Sequence, residues 1–141
     1  MIDPQLELDV YRAYAAYAHR IDDGDLRGWS QLFTDDGIMS VRGKDIVGPE
    51  ALYQLMVPVR KERARSLFRH LVMNIEVHDA SETQAHAVAD FLHVGAGTGG
   101  AYTEMIGRYN TEFARIDGTW KFHRHAVELL VDKRNPELPL G

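Results

Sequence analysis

The sequence predicts an α+β fold in which helices come first and a strongly curved, mostly antiparallel sheet follows. Up to about residue 60, apolar residues recur at spacings of three and four, which is typical of amphipathic helices. From residue 66 onward the chain is rich in Val, Ile, Phe, Tyr and Thr, and short turns separate its apolar segments, which indicates strands. Helices followed by strands favour a layered fold whose helices cover one face of the sheet.

The first helix has the clearest local signals. Asp3 can cap its start, and Pro4 suits the first helical position. Its end is predicted near Asp22-Asp23-Gly24. One face carries apolar side chains at helical spacing, namely Leu6, Val10, Tyr14, Tyr17 and Ile21.

Two further helices are predicted before the sheet. Asp25 can cap a short one, and Gly48-Pro49 can begin another, which Pro58 should kink or end early. Between them we expect a turn over residues 34–37 and a short strand over residues 38–42. The second helix is predicted to carry Leu26, Trp29, Leu32 and Phe33, and the third to carry Leu52, Leu55, Met56 and Val59.

Four long strands are predicted over residues 66–78, 83–95, 101–116 and 119–131. Asp117-Gly118 is a strong hairpin signal between the last two. Strands of this length must twist and coil, and helices across the concave side of such a sheet leave room for a ligand. We expect residues 1–141 to form one domain, with a core of about residues 4–131 and an irregular tail over residues 132–141.

The composition excludes several classes of protein. A net charge of −5 argues against a nucleic-acid binder, which needs a basic face. The basic run over residues 60–65 is interrupted by Glu62 and Ala64, so we expect a solvated helix end there. Without cysteine there are no disulfides or thiolate metal sites, which fits a reducing cytoplasm. We expect no membrane span and no signal peptide.

The glycine run over residues 95–100 contains a literal G-x-G-x-x-G. A dinucleotide site needs these glycines to open a helix that faces the pyrophosphate. Here a predicted strand follows, so a flexible hairpin loop is the better interpretation and no cofactor is expected.

Four of the seven histidines have a possible functional role, and His93 is considered with the cavity below. His123 and His125 lie two apart on a predicted strand and would share one face, yet the spacing implies no third ligand, so we expect no metal. His70 lies inside an apolar strand, where an unpaired ring would cost a few kcal/mol. From the residues alone, His70 is either a structural histidine with a satisfied hydrogen bond or a functional one.

Other polar residues could face the same cavity. Asp22 or Asp23 could point inward where the first helix ends, or both could be solvated. Tyr14 and Tyr17 should place their rings in the core, from which a hydroxyl could reach the cavity. His93 shares its strand face with small alanines that leave space for a ligand.

Together these features resemble the SnoaL-like branch of the nuclear transport factor 2-like superfamily. The resemblance covers roughly residues 4–131. Its most specific parts are a Trp followed by Leu-Phe-Thr-Asp-Asp at residues 29–36, and Asp-Gly-Thr-Trp-Lys-Phe at residues 117–122. The resemblance implies a cone-shaped α+β barrel with three N-terminal helices. Within the branch, the sequence most resembles the group that contains scytalone dehydratase, bile-acid 7α-dehydratase and hexachlorocyclohexane dehydrochlorinase.

That group uses a His–Asp pair without metal or organic cofactor. The resemblance implies His70 as the base and Asp22 as its orienting partner, with Tyr17 and His93 as donor or polarising groups. These enzymes also use an arginine on a late strand. No residue here is its clear counterpart, and the candidates are Arg108, Arg115 and Arg124. The expected pocket walls are Tyr14, Phe33, Leu55, Phe68, Val72, Phe91, Met105 and Tyr109.

The resemblance therefore implies a dehydratase or isomerase acting on a small hydrophobic, oxygenated molecule of steroid-like, polyketide or aromatic type. Two alternatives remain open. One is a non-catalytic role, either as a ligand-binding module or as a partner like the small subunit of ring-hydroxylating dioxygenases. The other is a polyketide cyclase that performs an aldol closure. A homodimer or homotrimer is expected.

Overall fold

In the described part of the chain, three helices pack on one face of a six-stranded, curved, open sheet. The computed structural model describes residues 1–62 and 67–132. In chain order the elements are α1 (Pro4–Asp23), α2 (Leu26–Ser30), β1 (Phe33–Val41), β2 (Lys44–Val47), α3 (Pro49–Glu62), β3 (Leu67–Ala80), β4 (Gln84–Gly97), β5 (Gly100–Ile116) and β6 (Thr119–Asp132).

The strand order in the sheet is β2-β1-β6-β5-β4-β3. β1 runs parallel to β6, and every other neighbouring pair is antiparallel. The four long strands are therefore the predicted antiparallel meander, which confirms the fold class read from the sequence. The tail is predicted to begin at residue 132, but Asp132 still belongs to β6. Residues 133–141 lie outside the described part of the chain.

The first helix begins and ends where its local signals predict. The Asp3 carboxylate accepts a hydrogen bond from the Gln5 backbone N–H at 3.0 Å. Gly24, with φ of 84°, closes the helix in the left-handed conformation that glycine adopts without steric cost. Asp25 then caps α2 through the Gly28 backbone N–H at 2.9 Å.

The region between α2 and α3 differs from the prediction. β1 begins at Phe33, so the polar residues 34–37 lie in a strand with irregular register and not in a turn, and Phe33 does not extend α2. A long-range contact explains this difference, because Phe33 pairs with Phe122 of β6 and so joins the sheet. β2 was not predicted; a tight Arg42-Gly43 turn with positive φ at both residues folds it back on β1.

Pro58 does not end α3, which continues to Glu62. The proline lies on the exposed side of the helix, where water can solvate the carbonyl that loses its partner. Of the predicted solvated basic run, residues 63–65 lie outside the described part, as does residue 66 at the predicted strand start. Of the described part of that run, Lys61 and Glu62 are exposed as predicted, whereas Arg60 is half-buried.

Aromatic side chains form the core between the helices and the sheet. Tyr14 meets Phe113 and Phe122 edge-on, and Tyr17 meets Trp29 and Tyr109 in the same way. Large rings contribute much apolar area and hold each other at specific angles. This core occupies one end of the helix–sheet interface and leaves a cavity at the other.

Candidate active site

A cavity of about 270 Å³ lies between the helices and the inner face of the sheet. Its wall is largely apolar. The helices contribute Tyr17, Ile21, Leu26, Trp29, Leu55, Met56, Val59 and Arg60. The sheet side contributes Met39, Val41, Arg42, Phe68, His70, Phe91, His93, Met105, Tyr109, Val127 and Leu129.

Asp22 and His70 meet at this cavity, although they come from different elements. Asp22 lies in the last turn of α1, and its carboxylate is only 3% exposed. One oxygen accepts the His70 backbone N–H at 2.8 Å, and the other accepts the ring Nδ1–H at 2.5 Å. The two-point contact fixes both the position of β3 and the tautomer of the ring. The Nε2 atom is the ring nitrogen that this contact with Asp22 leaves unengaged.

His93 lies beside His70 on the neighbouring strand. The two residues are cross-strand partners, and their rings stack with centroids 4.4 Å apart and planes 28° apart. The Phe68 and His93 ring centroids lie 5.0 Å apart in an edge-to-face contact. The alternation predicted along β4 holds, because Ala85, Ala87, Ala89, Phe91 and His93 are all buried on one face.

Glu104 is a residue of the site that the sequence analysis missed. Its Oε2 atom lies 2.8 Å from His93 Nδ1, and the carboxylate is 12% exposed. The register of β4 and β5 shifts at this point, since His93 pairs with Met105 whereas Val94 pairs with Thr103. Glu104 is thus the extra residue of a β-bulge, and bulges turn side chains in directions that simple alternation does not predict.

Tyr17 from α1 and Tyr109 from β5 both line the cavity and contact each other. Burial raises the pKa of Tyr17 above its usual range, and a hydrogen bond with Tyr109 works in the other direction. Burial also raises the pKa of Tyr109 well above its usual value. Both phenols are therefore neutral at physiological pH and keep a proton that they can donate.

Three of the predicted wall residues do not line the cavity. Tyr14 donates a hydrogen bond to Thr111 Oγ1 at 2.9 Å, and burial raises its pKa to about 12. Phe33 is held in the core by Trp29 and Phe122. Val72 is half-buried and packs against the core cluster. The other predicted wall residues do line the cavity, namely Leu55, Phe68, Phe91, Met105 and Tyr109.

His123 and His125 do not share a face, contrary to the prediction. A bulge in β6 separates them, because Phe113 pairs with Phe122 whereas Glu112 pairs with Arg124. His125 is fully buried, while the His123 side chain is 40% exposed. The described residues contain no group of three or more His, Asp or Glu side chains that could hold a metal ion.

The cations at the cavity are not the predicted ones. Arg42, which pairs with the buried Asp132, and Arg60, whose guanidinium lies 5.4 Å from the Phe68 ring centre, belong to the wall. The three predicted arginines lie elsewhere: Arg108 pairs with Asp90, Arg115 lies over Trp120, and Arg124 pairs with Asp45.

In the described ranges no helix is long and apolar enough to cross a membrane.

Many solved structures share this architecture. A proposed scytalone dehydratase from Novosphingobium aromaticivorans superposes with a TM-score of 0.73 at 21% identity, covering 86% of this chain and 82% of that one. The β subunit of a proposed aromatic-ring-hydroxylating dioxygenase from the same organism gives 0.73 at 22%, covering 88% of each chain. A Catenulispora acidiphila protein in complex with S-DNPA gives 0.77 at 19%, covering 90% of this chain and 95% of that one.

At these identities the likeness shows the fold alone. A search of curated proteins finds no match. The SnoaL-like domain, by contrast, matches residues 5–126, which is most of the sequence. That match confirms the family inferred from the motifs, and the chain belongs to the SnoaL-like domain family.

Proposed function

We propose that this protein is a cofactor-independent dehydratase or isomerase that acts on a small hydrophobic, oxygenated molecule. The observation that carries the proposal is the Asp22–His70 pair at the wall of an apolar cavity. A buried carboxylate on Nδ1 orients the ring and favours the imidazolium that forms when Nε2 takes a proton. A positioned base of this kind typically accelerates proton transfer by about 10²–10⁴-fold.

In the dehydratase reaction His70 Nε2 removes a proton from the carbon next to the one that bears a hydroxyl. The electron pair of that C–H bond forms the new C=C bond, and the C–O bond breaks. The departing hydroxyl takes a proton from a donor and leaves as water. Tyr17 and His93 both line the cavity and are the proposed donors. An isomerase would use the same base and return the proton to a different carbon.

The cavity supports a compact substrate with few polar groups. Its volume of about 270 Å³ lies just below the ~300–1,000 Å³ typical of small-molecule sites. Leu55, Phe68, Phe91 and Met105 would contact the apolar part of the substrate and leave the oxygenated end to the histidines.

Substitution of His70 tests the proposal. The wild-type chain is screened against a panel of aromatic and bicyclic β-hydroxy ketones, and elimination is followed by the absorbance of the conjugated enone. On a substrate that the wild type converts, His70→Gln should lower kcat by about 10²–10⁴-fold, because the base is lost. His78→Gln, an exposed histidine on the same strand, is the matched control. Equal turnover by His70→Gln and wild type would refute the proposal.

The non-catalytic role remains the second candidate, and one observation favours it. Leu71, Leu92, Ile106 and Val131 pair in sequence across four strands and form an apolar row on the outer face of the sheet. Leu71, Ile106 and Val131 are exposed. Such a row suits contact with another chain, as in a homodimer, a homotrimer or an assembly like that of the dioxygenase β subunit.

A cyclase would use the same cavity for an aldol closure.

Three further expectations stay predictions: the oligomeric state, a cytoplasmic location, and the organisation of residues 1–141 as a single domain.

A further inference from the structure

The cavity contains a second pair of a histidine and a carboxylate. His93 Nδ1 lies 2.8 Å from Glu104 Oε2, as His70 Nδ1 lies 2.5 Å from Asp22 Oδ1. Both pairs are largely shielded from water, since the His93 and Glu104 side chains are 4% and 12% exposed. The stacked rings join the two pairs into one unit with a carboxylate at each Nδ1 atom.

We infer that Glu104 is a positioning residue that keeps His93 protonated, so that His93 is the acid of the site and His70 is the base. The inference rests on the proposed function, because it takes His70 as the neutral partner. Two imidazolium rings stacked 4.4 Å apart would repel each other, which disfavours a positive charge on both rings at once. The carboxylate at His93 Nδ1 favours that charge on His93.

This arrangement has a consequence for elimination. The proton that leaves the substrate carbon converts His70 to imidazolium, while His93 gives its Nε2 proton to the departing hydroxyl and becomes neutral. The charge of the histidine pair is the same before and after the step. An apolar cavity therefore never has to stabilise an additional charge, which would be costly there. The substrate must offer an oxygen atom to His93 and an acidic C–H to His70.

Other charged or titratable groups on or near this wall act on the same equilibrium. They are Asp22 and Tyr17 from α1, Arg60 from α3, Arg42 after β1, Tyr109 from β5 and Asp132 from β6. The two arginines oppose a charge on His93, and Asp132 is itself paired with Arg42. Glu104 is the acidic group in direct contact with the His93 ring, so its removal is the sharpest test.

The test is nitrogen NMR of the full chain labelled with ¹⁵N-histidine. At neutral pH the wild type should show both His93 nitrogens protonated, and His70 with one protonated and one bare nitrogen. Glu104→Gln should remove the imidazolium signal of His93, and Glu104→Asp should retain part of it. Glu112→Gln, an exposed glutamate on the same strand, should change nothing.

A neutral His93 in the wild type would overturn the inference, and so would an imidazolium that persists in Glu104→Gln. The signal of the buried His125 reports whether each variant is folded. Because the readout needs no substrate, it fails independently of the proposed function. If His70→Gln keeps full turnover while His93 loses its proton in Glu104→Gln, the proposed function is wrong but the pairing stands.

Discussion

His70 and His125 are both shielded histidines held through Nδ1, but their partners differ. His70 donates to the Asp22 carboxylate beside the cavity, whereas His125 contacts the Thr111 hydroxyl at 2.9 Å within the aromatic core. Burial lowers the pKa of His125 to about 3, so its ring is neutral at any physiological pH. A shielded histidine with a neutral partner is a structural residue. A carboxylate partner is what favours proton uptake.

The two ends of the helix–sheet interface follow the same division. At the core end a chain of neutral groups runs from Tyr14 through Thr111 to His125. At the cavity end each histidine contacts an acid. Substitutions at the core end should therefore affect stability, and those at the cavity end should affect chemistry.

The largest expected effect is that of Asp22→Asn. The amide can still accept the backbone hydrogen bond, but it cannot stabilise an imidazolium and can stabilise the wrong tautomer of His70. We expect kcat to fall by about 10²–10⁴-fold, in line with the loss of an orienting carboxylate in other enzymes. Turnover on a substrate of the wild type is the measurement.

Asp23→Asn is the control for this prediction, since the neighbouring carboxylate is exposed at the same helix end. It should leave kcat unchanged. Equal losses in both variants would indicate a disturbed helix end and would remove Asp22 from the catalytic scheme.

The next effect concerns pH and the core histidine. The pKa of His125 is lowered from 6.5 to about 3 by burial. Between pH 6.5 and about 3, His125 binds a proton in the unfolded chain but not in the folded chain. The free energy of unfolding therefore keeps its full contribution from this group above pH 6.5 and loses it as the pH falls. The slope from this one group is at most about 1.4 kcal/mol per pH unit.

His125→Gln isolates this contribution. Urea unfolding at several pH values between 7 and 4 should show a shallower loss of stability for this variant than for the wild type. His19→Gln, an exposed histidine on α1, should keep the wild-type slope. Parallel curves for His125→Gln and the wild type would mean that the ring is protonated in the folded state, and the contrast with His70 would disappear.

The sequence predicted what depends on local chemistry and on the family pattern. Asp3-Pro4 and Gly24 define α1 because caps act within a few residues. The resemblance predicts the Asp22–His70 pair. The residues alone do not decide whether His70 is structural or functional, or whether Asp22 points inward. That pairing joins distant parts of the chain, and no local spacing encodes it.

Bulges and long-range pairing account for what was missed. Glu104 lies at a register shift, so the alternation of β5 does not predict where its side chain points. The same reason separates His123 from His125. The local apolar pattern places Phe33 in the second helix. Its strand structure depends on pairing with Phe122, which is far along the chain and leaves no local signal. A bulge changes the direction of a side chain without a strong signature in the sequence.

The smallest expected effect is that of Tyr14→Phe, which compares two tyrosines one turn apart on α1. The Tyr14 hydroxyl bonds to Thr111 and does not reach the cavity, so its loss should cost about 0.5–1.5 kcal/mol of stability and leave kcat unchanged. Tyr17→Phe is the matched partner, because it removes a hydroxyl from the cavity wall and should lower kcat if Tyr17 donates a proton. Urea unfolding and turnover, measured on both variants, separate the two roles. A loss of turnover in Tyr14→Phe would mean that the core end takes part in the chemistry, and the division between the two ends of the interface would then be wrong.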